Sequence, residues 1–184
     1  KKNLALLFDL VKLSKQSDQL IEKLQQLQLP NGSFSWFKGG YEDRYMTNYI
    51  LTGIGKLKRL GAMSTDVAIR LKPLLANALS YLDKKISDDY QWLTDNKVNL
   101  TSQHLSSIHI QYLFMRSFFG DIAQQSPTAY RYFYNQGKQY WIKQNLYNQA
   151  MLGLAFHRNK ETAFTNNTIL PSILENAVVD TAKE

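Results

Sequence analysis

The residues best suited to catalysis or metal binding are three histidines and one short acidic cluster. The histidines are His104, His109 and His157. His104 and His109 lie five residues apart, which on a helix would turn their side chains to different faces. The chain has no two histidines in the His-Glu-x-x-His spacing of a zinc protease. We therefore expect neither a metal site nor a bound cofactor.

The acidic cluster is Asp88-Asp89, with Asp83 and Asp95 nearby. Terpene cyclases use aspartate-rich motifs to bind diphosphate and magnesium or to protonate a substrate, and the segment SDDYQW lacks the further aspartates of such motifs. Prenyltransferases need a zinc ion with a cysteine ligand, and this chain has no cysteine. The cluster therefore predicts neither chemistry.

Glycosidases built on a helical barrel need two facing carboxylates. Glu42 or Asp43 could pair with Asp88 or Asp89, but nothing in their spacing requires it. A carbohydrate-active enzyme therefore stays open as an alternative. The titratable residues as a whole favour a chain that is not an enzyme.

Charge and hydropathy bear on the partners of the chain. The formal net charge is +7 at pH 7. The Lys and Arg residues are scattered, with no run of five or more like charges, as on an ordinary solvated surface. We therefore expect no nucleic acid as a partner. Crossing a membrane takes about 20 predominantly apolar residues, and the apolar runs are short, so we expect no membrane span.

Apolar residues recur with the period of a helix along most of the chain. One apolar face comprises Met46, Ile50, Gly53, Ile54, Leu57 and Leu60, and a second comprises Val67, Leu71, Leu74, Leu75, Ala78, Leu79 and Leu82. The helix with the second face should kink or start at Pro73. Further helices are predicted over residues 3–13, 16–28, 101–118, 128–143, 145–158 and 165–180. Loops are expected at 29–41 and 87–100.

These patterns predict a single all-α domain over residues 1–184, made of antiparallel helical hairpins. Two short strand candidates, at 33–37 and 90–93, are too isolated to form a sheet. The helix predicted at 101–118 is apolar over most of its circumference, so neighbouring helices should cover it. Such alternation of inner and outer helices suits a curved stack or a ring of hairpins.

Residues 25–61, QQLQLPNGSFSWFKGGYEDRYMTNYILTGIGKLKRLG, resemble a signature of the helical thioester domain in bacterial alpha-2-macroglobulin-like proteins of the Bacteroidetes type. In that family a helix ends in Gln, a Gly-aromatic-Trp loop follows, and the next helix begins near an Asp and contains a Thr. The matching residues are Gln28, Gly32, Phe34, Trp36, Phe37, Gly39, Gly40, Asp43, Thr47, Gly53 and Gly55. Residues 5–13, 110–119 and 140–158 resemble other helices of the domain, in the same order.

The resemblance implies an alpha/alpha toroid, the ring of hairpins also seen in terpenoid cyclases and prenyltransferases. The chain would be an interior part of that toroid and thus an incomplete ring. The parent would be a large secreted or lipid-anchored protein of the periplasm or cell surface that traps proteases as an endopeptidase inhibitor. Its other domains, and proteases as its prey, would be the partners. Many members capture the protease through a Cys–Gln thioester, and this chain has no cysteine.

Two roles are open to the aromatic residues of the loop. Phe34, Trp36 and Phe37 could bury several hundred Å² as a plug that closes the end of a hairpin, or they could form a platform on which a ligand stacks. Because the loop is short and flanked by glycines, we expect the plug. Gly32 should supply a positive φ, and Gly53 with Gly55 should allow close helix approach.

The sequence thus predicts a non-catalytic structural and interaction module of a protease-trapping envelope protein. Two alternatives remain open. One is the carbohydrate-active enzyme, and the other is a polysaccharide- or peptide-binding helical scaffold of a surface protein. A face rich in exposed aromatic residues would favour the scaffold.

Overall fold

A computed structural model describes residues 18–176, and this part of the chain is all-helical, as predicted. The α-helices are α1 (residues 18–27), α2 (Arg44–Arg59), α3 (Thr65–Asp95), α4 (Ser107–Arg116), α5 (Pro127–Tyr140), α6 (Leu146–Arg158), α7 (Thr162–Phe164) and α8 (Leu170–Glu175). A 3₁₀ turn, Trp141–Lys143, follows α5, and a π-helical turn, Thr165–Ile169, joins α7 to α8. Within 18–176 the β-type pairing amounts to one isolated antiparallel bridge, Phe34 to Asp43.

The chain divides into two compact units, Lys1–Leu82 and Asp83–Glu184. The boundary falls inside α3. Between residues 18 and 176, no helix is both long enough and apolar enough to cross a membrane. The predicted helix 3–13 lies outside the described residues.

The face that α2 buries is shifted by one position along the chain from the face that was predicted. The residues that α2 buries are Thr47, Asn48, Leu51, Ile54 and Gly55. Thr47, Leu51, Ile54 and Gly55 repeat the predicted spacing one position later, which turns the face by about 100°. Ile54 alone belongs to both sets. Thr47 sets this orientation, because its hydroxyl accepts a hydrogen bond from the buried Phe34 amide at 2.9 Å.

Helix α3 buries every residue of the second predicted face except Val67, and it corrects the predicted limits. Its buried residues in the first unit are Leu71, Leu74, Leu75, Ala78, Leu79, Tyr81 and Leu82. The helix starts at Thr65, so it does not begin at Pro73. Pro73 lies on the exposed side, where water can bind the carbonyl that a proline leaves unpaired. The helix also continues to Asp95, so the loop predicted at 87–100 begins only after that residue.

The second unit is built around α4, whose ten residues include seven that are buried. The prediction of an inner helix is confirmed, but the helix begins at Ser107 and not at residue 101. Ser106 ends the preceding loop with a capping box that pairs it with His109. Helix α6 packs against α4. Gly137 of α5 leaves room for the Leu152 side chain of α6, since a Cβ there would lie 3.1 Å from a methyl group of Leu152.

Candidate functional site

The loop between α1 and α2 is held by a partly buried frame of hydrogen bonds. The amide group of Gln28 donates to the carbonyls of Gly32 and Leu74, each at 2.9 Å. Gly32 has a φ of +87°, and a Cβ there would lie 2.3 Å from the carbonyl oxygen of Asn77. Only glycine fits this position, because it tolerates positive φ and has no side chain to meet Asn77.

Phe34, Asp43 and Thr47 close the frame. The Asp43 amide donates to the Phe34 carbonyl at 2.8 Å, and the Phe34 amide donates to the Thr47 hydroxyl. That hydroxyl donates in turn to the Asp43 carbonyl at 2.7 Å. The Asp43 carboxylate caps α2 by accepting from the Met46 amide at 2.7 Å. The Phe34 side chain is 1% exposed and anchors the loop in the core.

The tip of the loop turns outward, so the plug that we expected is formed by Phe34 alone. Trp36 is 63% exposed and Phe37 is 72% exposed. Gly39, with a φ of +82°, and Gly40 reverse the chain after these aromatic residues. A Cβ on Gly40 would lie 3.1 Å from the Phe37 carbonyl oxygen. The expectation that all three aromatic side chains are buried is therefore wrong for Trp36 and Phe37.

The exposed side of α2 continues the surface that Trp36 begins. The Trp36 and Tyr45 rings lie 5.8 Å apart with their planes within 8°, and the Tyr45 and Tyr49 rings lie 6.3 Å apart within 15°. Tyr45 is 42% exposed and Tyr49 is 65% exposed. We call Trp36, Tyr45 and Tyr49 the aromatic row. Their rings offer flat apolar surface with a polar tip on each side chain.

The aromatic row leads into an open stretch of α2. Gly53 comes one turn after Tyr49, and a Cβ there would meet no atom within 4 Å. The compensation that we expected for Gly53, close helix approach, is therefore absent, whereas Gly55 is buried. Leu57 and Leu60 are exposed further along the helix. A partner could contact the aromatic rings and the bare backbone at Gly53 together.

The sequence alone missed this row, although one signal for it was present. Tyr45 and Tyr49 lie four residues apart, so they share one face of α2. Neither of them belongs to the apolar set that was assigned to the core. Aromatic residues at this spacing outside the buried face indicate an exposed aromatic surface. The stacking of Tyr45 with Trp36 depends on the loop and could not be read from helical spacing.

In the second unit, Asp83 belongs to a buried ion pair. The Arg116 guanidinium donates to both carboxylate oxygens of Asp83 at 3.2 Å, and Tyr112 donates its hydroxyl proton at 2.7 Å. Arg116 also donates to the carbonyls of Phe119 and Ala123. Burial raises the pKa of Tyr112, and the negative charge of Asp83 raises it further. The hydrogen-bonding groups of Asp83 and Arg116 are thus occupied by partners within the protein. We call this buried ion pair the clamp and assign it a structural role.

Asp89 and Ser106 each lie within hydrogen-bond distance of His109, a grouping that the spacing in the sequence did not predict. His109 Nε2 lies 3.0 Å from an Asp89 carboxylate oxygen, and His109 Nδ1 lies 3.0 Å from the Ser106 hydroxyl. The Ser106 amide also donates to Nδ1 at 3.1 Å. In a catalytic triad the histidine nitrogen must be able to take a proton from serine. Here the Ser106 amide already donates to His109 Nδ1. The contacts of Ser106 with His109 therefore cap the start of α4.

The remaining candidate residues have separate surroundings. Asp88 pairs with Lys84 at 2.9 Å on the surface. His104 Nε2 lies 2.9 Å from the carbonyl oxygen of Asn99. Residues 18–176 contain no group of three or more metal-ligating side chains that could hold an ion.

Comparison of the chain with models of protein families, with curated proteins and with solved structures found no match. The resemblance of residues 25–61 to the bacterial alpha-2-macroglobulin-like proteins therefore stays a prediction from the sequence.

Proposed function

We propose that the chain is a non-catalytic interaction module of a large alpha-2-macroglobulin-like protein that traps proteases. The parent would lie in the periplasm or at the cell surface. The chain would form an interior part of an incomplete alpha/alpha toroid and would need no cofactor. Its partners would be other domains of the parent chain, and the proteases that the parent traps.

The observation that carries the proposal is the aromatic row. Trp36 and Tyr49 leave most of their ring surface open, although the loop and the start of α2 beside them are held by the partly buried frame of hydrogen bonds. Exposed aromatic clusters on a rigid base are typical of protein interfaces, because such rings bury large areas with little loss of side-chain freedom. The row also lies within 25–61, the segment that resembles the family.

The surroundings of the titratable residues support a non-catalytic role. Asp83 is bound by Arg116 and Tyr112. The acceptor nitrogen of His109 is occupied by a backbone amide. A general base needs a free lone pair facing the substrate, and neither group offers one.

The proposal is tested on the full-length protein whose reading frame contains this chain. A trap hides a protease from protein substrates but leaves it able to cleave a small peptide. The parent should therefore slow the cleavage of a protein substrate and leave the cleavage of a chromogenic peptide unchanged. The variant Trp36→Ala/Tyr49→Ala should lose most of the protection, because the row no longer docks.

The matched control is Tyr147→Ala, which removes an exposed tyrosine outside the row. It should protect as well as the unsubstituted parent. A parent that never protects protein substrates would contradict the trap. A parent that protects equally well with both row residues removed would contradict the role of the aromatic row.

The same row also favours a second function, a polysaccharide- or peptide-binding scaffold of a surface protein. Exposed aromatic rings can stack on sugar rings as readily as on protein side chains. Affinity electrophoresis of the chain through gels with embedded polysaccharides tests it. Retardation that disappears in Trp36→Ala/Tyr49→Ala and persists in Tyr147→Ala would favour the scaffold over the trap.

A further inference from the structure

A cavity of about 210 Å³ opens in the second unit beside the start of α4. It is lined by Asp89, Trp92, Leu93, His104, His109 and Phe133. Sites for drug-sized ligands usually measure about 300–1,000 Å³. This cavity is smaller, so it suits a single functional group with a short stem. None of its residues belongs to the aromatic row.

Asp89 is held in a defined orientation at this cavity. His109 Nδ1 accepts from the Ser106 amide, so in the neutral ring Nε2 carries the proton and donates to Asp89 at 3.0 Å. The His109 ring is itself stacked on Phe133, with centroids 4.0 Å apart. The Ser106 amide, the His109 ring and the Asp89 carboxylate are thus joined by consecutive hydrogen bonds. The Asp89 carboxylate, which makes at least one further interaction besides the one with His109, is thus held in a defined position at the wall.

His104 also lines the cavity. Its Nε2 lies 2.9 Å from the Asn99 carbonyl oxygen. A carbonyl oxygen only accepts, so Nε2 must donate, and Nδ1 is the acceptor of the neutral ring. Among the residues described, no Lys or Arg lines the cavity. The polar wall therefore favours a ligand rich in donors or a ligand with positive charge.

Trp92 supplies the aromatic wall. Its side chain is 61% exposed although it borders the cavity. Tryptophan is the aromatic side chain that attracts cations most strongly, and a carboxylate nearby adds a direct ionic contact. Leu93 and Phe133 give apolar surface for an alkyl stem.

We propose that this cavity binds an alkyl ammonium or guanidinium group, with Asp89 as the ionic partner and Trp92 as the aromatic partner. The same chemistry occurs in free amines and in the side chains of lysine and arginine. The proposal is independent of the trap, because it uses other residues in the other unit.

The test uses the intact chain and follows the indole N–H signal of Trp92 by NMR during titration. The probes are n-butylammonium, n-butanol as its neutral match, methyl glucoside, and a short peptide with one central lysine. We expect n-butylammonium to shift the signal saturably and n-butanol to bind at least about tenfold more weakly, as for loss of one charged hydrogen bond. A peptide that binds as tightly as the free amine identifies a protein side chain as the source. A peptide that is excluded identifies a small amine.

Two variants assign the binding. Asp89→Asn keeps an oxygen that can accept the hydrogen bond from His109. The side chain at the cavity wall is therefore kept in position while its negative charge is lost. It should weaken n-butylammonium binding about tenfold or more. Trp92→Ala removes an exposed ring and should weaken binding as well, monitored through the backbone amide of residue 93. Asp88→Asn is the matched control, since Asp88 pairs with Lys84 and does not line the cavity, and it should bind like the unsubstituted chain.

The proposal is overturned if n-butylammonium causes no saturable shift, or if n-butanol or methyl glucoside binds as well as the amine. It is equally overturned if Asp88→Asn weakens binding as much as Asp89→Asn. In that case the negative surface of α3 as a whole, and not this cavity, attracts the amine.

Discussion

Phe34 and Trp36 stand two positions apart and have opposite surroundings. Phe34 is buried in the core of the first unit, whereas Trp36 contacts Tyr45 on the surface. We expect Phe34→Ala to lower the free energy of unfolding by about 3–5 kcal/mol, the usual cost of emptying a buried aromatic site. Trp36→Ala should cost about 1 kcal/mol, as for the loss of one exposed aromatic pair.

Urea denaturation followed by circular dichroism measures both changes. Equal losses of stability for the two variants would contradict the assignment of Phe34 as the anchor and Trp36 as surface.

The buried pair of Asp83 and Arg116 gives a second prediction at this scale. Asp83→Ala would leave the Arg116 guanidinium buried without its counter-charge, at a cost of about 3–5 kcal/mol. Asp88→Ala breaks an exposed pair with Lys84 and should cost within about 1 kcal/mol. Thermal unfolding of both variants checks the contrast, and a mild effect of Asp83→Ala would show that the clamp is not needed.

At the scale of the element, α2 and the loop before it contain two glycines with opposite requirements. Gly32 needs a positive φ and lies against the Asn77 carbonyl, whereas Gly53 lies in an exposed helix with open space around it. We expect Gly53→Ala to stabilise the protein by about 0.5–1 kcal/mol, because alanine loses less backbone entropy in a helix. Gly32→Ala should destabilise it by at least about 2 kcal/mol.

Chemical denaturation at a single pH compares these two variants directly. A destabilising Gly53→Ala would indicate that another surface approaches α2 at that position in solution. A neutral Gly32→Ala would show that the loop can move away from Asn77.

At the scale of the whole molecule, buried tyrosines couple stability to alkaline pH. Burial raises the pKa of Tyr81 from about 10 to about 12, with the charge of Glu42 adding to the effect. Burial also raises the pKa of Tyr112, Tyr130 and Tyr134. A raised folded-state pKa gives stability that is fully present below pH 10 and is lost as the pH rises towards 12, because only the unfolded chain releases the proton.

We therefore expect the free energy of unfolding to fall between pH 10 and pH 12, and to fall less steeply in Tyr81→Phe. Between pH 7 and pH 9 the two proteins should show the same slope, since tyrosine is neutral in both states there. Unfolding at each pH, followed by tryptophan fluorescence, gives the slopes. Identical slopes above pH 10 would show that Tyr81 titrates as it does in the unfolded chain.

The sequence by itself determined the helical class and most of the helices. Apolar periodicity is a local property, so it predicted the buried face of α3 from Leu71 to Leu82 and the inner position of α4. It also marked the loop after α1, where Gly32 is required by local backbone geometry. These features depend on residues within a few positions of one another in the chain, so the residue types of that segment are enough to predict them.

Only the tertiary structure decided which aromatic and charged side chains meet. Periodicity placed the buried face of α2 one position too early along the chain, and the hydrogen bond from the Phe34 amide to the Thr47 hydroxyl holds the observed face inward. Asp89 and His109 lie 20 positions apart, and they meet because α3 continues through the segment that was predicted to be a loop. Phe34 is buried whereas Trp36, two positions later, is exposed. Such contacts join residues that are far apart in the sequence, so the pattern within one segment of the chain cannot predict them.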